Sequence, residues 1–217
     1  MLNRDRRYSI LRRRLFRWHK HAKREFPWRQ TEDRYRVLVG ELLLQRTRGE
    51  NVVAVYEDFV SRWPDVAHLS EASSRDVRAV IRPLGLAGRA DTLMALAAQV
   101  SVIGRIPDEP AELSRLAGVG PYVSHAVPVF ADHRNLPLVD WVIARVLRRY
   151  FDLPQGRRPN ADPDLWALAA ALVRPGRARE TWLAVLDLAA ALCTRRPKCT
   201  SCPLSHSCAY PTGAVRS

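Results

Sequence analysis

The chain has 217 residues, 47% of them hydrophobic and 26% charged, with a formal net charge of +13 at pH 7. That length and composition suit a globular protein of one large or two small domains, and the lack of any run of about 18 apolar residues excludes a membrane-spanning helix. A charge excess of this size points to a polyanionic partner, most often nucleic acid; the plainer alternative is a generally basic, arginine-rich chain. Residues 1–14 are basic, and Arg12, Arg13 and Arg14 interrupt any secretory apolar core, so an intracellular protein is expected.

The chain reads as all-α. Residues 10–24 form a basic amphipathic helix with Leu11, Leu15 and Trp18 on one face, and Phe26-Pro27-Trp28 breaks it. Residues 35–46 are almost entirely apolar and predict a central, buried helix. A helix over 51–63 ends at Pro64, and shorter helices follow over 74–81, 89–103 and 110–116. Pro121 suits the first turn of a helix over 122–131. Asp140 can cap a helix over 141–150, and two more cover 163–173 and 178–192, leaving 209–217 as a tail. No hairpin dipeptide and no sustained alternation predicts a strand.

Four features carry chemistry. Glu41 lies in Val37-Leu38-Val39-Gly40-Glu41-Leu42-Leu43-Leu44, with apolar residues on every helical face. A carboxyl buried there favours its protonated form and suits a proton donor, or else it is the structural partner of Arg29 or Arg36. Leu116-Ala117-Gly118-Val119-Gly120 precedes Pro121-Tyr122, and a glycine turn running into a helix N-terminus can lay backbone N–H groups against a phosphate. Asp140 follows the apolar Leu136-Pro137-Leu138-Val139. It is a plain N-cap, or an N-cap that also offers an oxygen to a positively charged sugar or a water. Cys193, Cys199, Cys202 and Cys208 form C-x5-C-x2-C-x5-C, beside Arg195, Arg196 and Lys198. Four thiols so spaced can hold zinc or a [4Fe–4S] cluster, and in a reducing compartment metal is expected rather than disulfides.

Taken in order, these pieces resemble the helix-hairpin-helix DNA glycosylases of the endonuclease III and MutY type, over residues 15–208. Leu116, Gly118, Val119 and Gly120 fall on the family hairpin and Asp140 on its essential aspartate. Phe26-Pro27-Trp28-Arg29 and Glu41-Leu42-Leu43-Leu44-Gln45-Arg46-Thr47 are similar to the MutY and thymine-mismatch branches, where Gln45 and Arg46 would contact DNA. The cysteine quartet matches the family's iron–sulfur loop, which favours a [4Fe–4S] cluster over zinc. The resemblance implies a two-lobed all-α fold: a six-helix module over 26–134, and a cluster lobe built from 1–25 and 135–217. DNA would bind in the groove between the lobes with the target nucleotide flipped out.

The same resemblance implies a reaction. Bifunctional members carry a lysine at position 122, which forms a Schiff base and leads to strand cleavage; here Tyr122 offers no amine. A monofunctional glycosylase with little or no lyase activity is expected. Asp140 would stabilise the sugar cation and help place water, and Glu41 would contact or protonate the base. The expected partner is duplex DNA with a mismatch or lesion, bound by a monomer. Gln45-Arg46 is closer to the mismatch branch than to the double glutamine common in MutY, favouring thymine or uracil opposite guanine. The alternatives are adenine opposite 8-oxoguanine or guanine, and, in another class, a non-catalytic DNA-binding module. The chain ends nine residues after Cys208, so the further C-terminal domain usual in MutY-type enzymes is not expected. Three departures stand out: a first cysteine spacing of five rather than six residues, Val142 in place of a polar residue, and Gly85-Leu86-Ala87-Gly88-Arg89 without the aromatics of a MutY probing loop.

Overall fold

The computed structural model describes residues 4–85, 88–154 and 156–210. Leu86 and Ala87 of the expected probing loop, and 211–217 of the expected tail, lie outside the described residues. The described residues form eleven α-helices joined by short 3-10 turns, with no strand among them. None of these helices is long and apolar enough to cross a membrane. The chain divides into two compact units, one of Glu25–Asp132 and one of the described residues of Met1–Arg24 with His133–Ser217.

The Glu25–Asp132 unit holds α2 (Arg34–Leu44), α3 (Gly49–Arg62), α4 (Val66–Ser70), α5 (Ser74–Ile81), α6 (Gly88–Ile103), α7 (Pro110–Leu113) and α8 (Pro121–Phe130). Local chemistry sets many of the starts. Asp33, Asp65 and Ser73 each accept the backbone N–H three residues on, capping α2, α4 and α5. Pro110 and Pro121 sit in first turns, where no N–H is needed. Helix α2 is central as expected: Val37, Leu38, Val39, Leu42 and Leu43 are buried, and it packs on α8 and α3. Phe26 and Trp28 stack at 4.8 Å beside it. A Cβ at Gly40 would meet Trp28 Cβ at 2.7 Å, so glycine is what admits the indole against α2. The 26–29 motif is therefore packing, a plug on the central helix.

The sequence reading missed α4, which is too short for a periodic signal. It also ran several helices past their ends, α2 and α7 among them. Helix α2 stops at Leu44 rather than 46, because Arg46 turns left-handed at φ 59°. Helix α7 stops at Leu113 rather than 116, because Arg115 and Leu116 tighten into bonds to Glu112 and Leu113 carbonyls before the hairpin.

The other unit holds α1 (Arg4–Ala22), α9 (Trp141–Phe151), α10 (Pro163–Leu172) and α11 (Ala178–Ala191). The buried face of α1 is Tyr8, Leu11, Leu15 and His19; Trp18, expected on that face, is only half-buried. The reason is polar. His19 Nε2 lies 2.9 Å from Oδ2 of the fully buried Asp187 on α11, and the Arg24 N–H donates to the same oxygen at 3.1 Å. A buried carboxylate needs such partners, and the helix rotates to supply them. Trp182 on α11 donates from Nε1 to the Leu136 carbonyl at 2.9 Å, which fixes the extended segment leading to Asp140.

Candidate nucleic-acid interface and active site

Within the Glu25–Asp132 unit, α2 carries Glu41 and ends in a polar turn. Glu41 is buried, 8% exposed, among the leucines and valines of that helix. After Leu44 the chain exposes Gln45 and Arg46, the latter in the left-handed region that costs a side-chain-bearing residue about 1–2 kcal/mol.

The hairpin packs beside this turn. Gln45 Nε2 donates to the Gly118 carbonyl at 3.0 Å. Gly118 is left-handed at φ 75°, and a Cβ there would sit 2.2 Å from Thr92 Cγ2 on α6. No other residue fits both the torsion and the space. Leu116 and Val119 are 5% exposed each, so they pin the hairpin into the core. Three of the hairpin's N–H groups are already committed: Leu116 to the Leu113 carbonyl at 3.0 Å, Ala117 to Gln99 Oε1 at 2.7 Å and Val119 to the Leu116 carbonyl at 3.1 Å. No hydrogen bond engages the N–H of Gly118 or Gly120 among the described residues. Gly120 caps α8 without a side-chain contribution, and a Cβ built on it meets nothing within 4 Å. The anion-binding potential thus concentrates at Gly118 and Gly120, at the positive end of α8. Tyr122 follows in the first turn of that helix, half-exposed.

Arg89, expected in the probing loop, is instead buried at 7% exposure and turned inward. Its Nη1 donates to the Leu43 carbonyl at 2.8 Å, and its Nη2 to the Gln45 carbonyl at 2.5 Å and Thr47 Oγ1 at 3.2 Å. Burial lowers its pKa from the ordinary arginine value.

In the other unit, Asp140 caps α9, its Oδ1 accepting the Ile143 N–H at 2.6 Å. Burial pushes this carboxyl above the usual aspartate range, against the opposing pull of the Ile143 and Val142 N–H groups and the Arg145 guanidinium. Trp141 comes next and is 67% exposed, an unusual cost for an indole with no function. Sequence reading passed over it; its place directly after Asp140 was the available signal.

One stripe of α9 leads from there to the cysteines. Arg145 donates to the Cys193 and Ala189 carbonyls at 2.7 and 3.2 Å. One turn on, Arg149 donates to the Thr194 carbonyl at 2.6 Å and approaches Cys193 Sγ at 3.5 Å. Cys193, Cys199, Cys202 and Cys208 line one cavity with Arg149 and Tyr150. Among the described residues, no group of three or more His, Cys, Asp or Glu side chains is arranged to hold a single metal ion. Burial pushes the Cys202 thiol up to about 11, so a thiolate there requires a bound cationic centre.

The structure therefore gathers Glu41, Gln45, Arg46 and the hairpin in one unit, and Asp140 and the four cysteines in the other. Comparison with known proteins gives these groups a context. The chain is 39% identical over 212 residues to a thymine-DNA glycosylase of Aeropyrum pernix, covering 94% of this chain and 95% of that one. It is 36% identical over 208 residues to a thymine/uracil-DNA glycosylase of Pyrobaculum aerophilum, covering 92% and 90%. Its fold matches the solved structure of a thermostable thymine-DNA glycosylase with a TM-score of 0.88 at 31% identity, covering 94% and 96%. The model of the HhH-GPD superfamily base excision DNA repair proteins matches residues 39–168, which hold the C-terminal half of α2 with Glu41, the hairpin and Asp140, and the chain belongs to that superfamily.

Proposed function

We propose that the protein is a monofunctional DNA glycosylase of base excision repair that removes thymine or uracil mispaired with guanine. The observation that carries this reading is the likeness to thymine and thymine/uracil glycosylases along nearly the whole of both chains. Duplex DNA is the partner, the protein acts as a monomer, and the +13 charge supplies the salt-dependent phosphate attraction.

In the reaction the bond between sugar C1′ and the base nitrogen breaks and the electron pair leaves with the base. The Asp140 carboxylate stabilises the positive charge left on the sugar. A water adds at C1′ and gives up one proton, and the departing base gains one. Glu41 contacts the flipped base or holds its proton. Tyr122 has no amine to attack C1′, so no Schiff base forms and the strand stays intact. Gly118 and Gly120 offer backbone N–H groups to a phosphate, while Leu116 and Val119 hold the hairpin that presents them. Gln45 and Arg46 contact the DNA from the turn after α2.

Four thiols spread around one cavity suit a group with four separate sulfur attachment points better than one zinc ion. Cys193, Cys199, Cys202 and Cys208 would hold a [4Fe–4S] cluster, whose iron–sulfur bonds cross-link the loop bearing Arg195, Arg196 and Lys198. The departure in the first cysteine spacing is absorbed in that loop, whose backbone Arg145 and Arg149 hold.

The test is base release from duplexes containing G·T, G·U, A·8-oxoguanine and A·G, with borohydride added to a parallel series. Thymine or uracil release without a trapped covalent adduct is expected. Adenine release alone reassigns the substrate; efficient trapping overturns the monofunctional mechanism. Binding that weakens steeply with salt, without release of any base, would leave a DNA-binding module.

A further inference from the structure

We infer that Arg89 is a positioning residue for DNA engagement: it locks the Gln45–Thr47 turn in the strained form that presents Arg46 and braces the hairpin. The inference rests on the reading of this protein as a DNA glycosylase that uses Arg46 and the hairpin on DNA.

Three observations carry it. The first is where Arg89 spends its donors. It lies in the first turn of α6, buried, and no carboxylate pairs with it among the described residues. All three of its acceptors, the Leu43 and Gln45 carbonyls and Thr47 Oγ1, belong to the end of α2 and the turn that follows. The last carbonyls of a helix have no partners within it and carry the negative end of its dipole, so a buried guanidinium bound there is well matched. The second is strain. Between two of the clamped residues lies Arg46, exposed and at φ 59°. A residue with a side chain stays in that region only where its surroundings over-determine it, and Arg89 grips Gln45 and Thr47 on either side. The third is reach. The residue whose carbonyl Arg89 holds, Gln45, donates its own side-chain amide to the Gly118 carbonyl. Gly118 in turn rests against Thr92, one turn beyond Arg89 on α6. One guanidinium thus fixes both the Arg46 turn and the register of the hairpin against it.

Lysine is not equivalent here. A planar fork with several N–H groups can serve three acceptors in one turn, whereas an ammonium is a point charge on a flexible stem. Without the fork, Arg46 relaxes toward the right-handed region and its side chain leaves the direction in which the turn now presents it.

The experiment is a double-mutant cycle between Arg89→Met and Arg46→Ala, with Arg89→Lys as a milder variant should Arg89→Met fold poorly. Single-turnover base release and duplex affinity are measured on whichever mismatch duplex the wild-type protein processes. Each variant is assayed below its own melting temperature. Arg89→Met is expected to lower base release on the order of 10- to 100-fold. Combined with Arg46→Ala, it should add little beyond the larger single effect. Arg89→Lys should fall between Arg89→Met and wild type. A double mutant whose loss equals the product of the two single losses overturns the inference, because Arg89 then acts independently of Arg46. So does an Arg89→Met protein that melts lower yet releases base at the wild-type rate. If Arg46→Ala alone changes nothing, the assignment of Arg46 to DNA fails, and the inference fails with it for a distinguishable reason.

Discussion

Replacing Asp140 by asparagine separates two jobs held by one side chain. Oδ1 caps α9 through the Ile143 N–H at 2.6 Å. Asparagine caps about as well as aspartate, so the helix start survives and only the charge is lost. Burial holds the Asp140 carboxyl above its ordinary range in the folded chain. Between the unfolded and folded pKa values the native state therefore binds more protons. Stability falls as pH rises through that window and stays at the lower level above it. Asp140→Asn removes this loss, so at pH 7 its Tm should match or exceed that of the wild type. Asp140→Ala also loses the cap, which costs about 1 kcal/mol, or about 2–4 °C in Tm for a chain of this size. Base release should fall in both variants by on the order of 10²–10³-fold, the usual penalty for removing a fixed group that stabilises transition-state charge. Calorimetry at pH 7 and single-turnover base release from a G·T or G·U duplex read the two effects separately. Wild-type release by Asp140→Asn refutes the role in chemistry; an Asp140→Asn protein melting below the wild type refutes the account of its charge, and one melting as low as Asp140→Ala refutes the account of its cap.

The same raised pKa sets the acid limb of the pH–rate profile, since Asp140 must be ionised to stabilise the sugar. Single-turnover base release should decline as pH falls through a value above the ordinary aspartate pKa of about 3.9, and a flat profile down to that value contradicts the assignment. Gly118→Ala places a Cβ 2.2 Å from Thr92 Cγ2 at φ 75° and should cost about 2–4 kcal/mol in chemical denaturation. Adding Thr92→Ala should recover the steric share, and no recovery means that the torsion alone is responsible. Purified protein should be brown, with visible absorption that bleaches on chemical reduction and is lost when Cys202 is replaced by serine; stoichiometric zinc in a colourless protein defeats the cluster assignment. Trp141→Ala should leave Tm unchanged, because the indole is 67% exposed, yet weaken duplex binding by about 1 kcal/mol or more if it stacks on a base. Unchanged affinity in a filter-binding titration removes Trp141 from the interface.

Helix positions were largely legible in the residues. Helix α5 runs over Ser74–Ile81 as read, because Ser73 caps it and its apolar positions repeat at helical spacing. Legibility failed where a distant group outweighed local preference. Gln45 and Arg46 read as two more residues of α2, yet Arg89, 44 positions beyond Gln45, takes the Gln45 carbonyl and ends the helix. Trp18 read as part of the buried face of α1, yet Asp187, 168 positions beyond His19, draws that histidine inward instead. The candidate site divides in the same way. Residue types and order along the chain picked out Glu41, the hairpin, Asp140 and the cysteines, while Arg89 carried no local pattern to mark it and Trp141 was marked only by its place after Asp140.

By itself the sequence determined the helical class, the glycine hairpin, the capping aspartates and the supply of thiols and carboxyls. Each follows from torsions, caps or side-chain chemistry within a few neighbouring residues. Only the tertiary structure decided how those groups are used. It placed Leu116 and Val119 as core pins, left the Gly118 and Gly120 N–H groups without a hydrogen bond among the described residues, committed Asp140 Oδ1 to a cap, and set four thiols around one cavity. Burial and hydrogen-bond partners are set by segments far apart in the chain, as Gln45 and Gly118, 73 residues apart, illustrate. No local pattern encodes that choice.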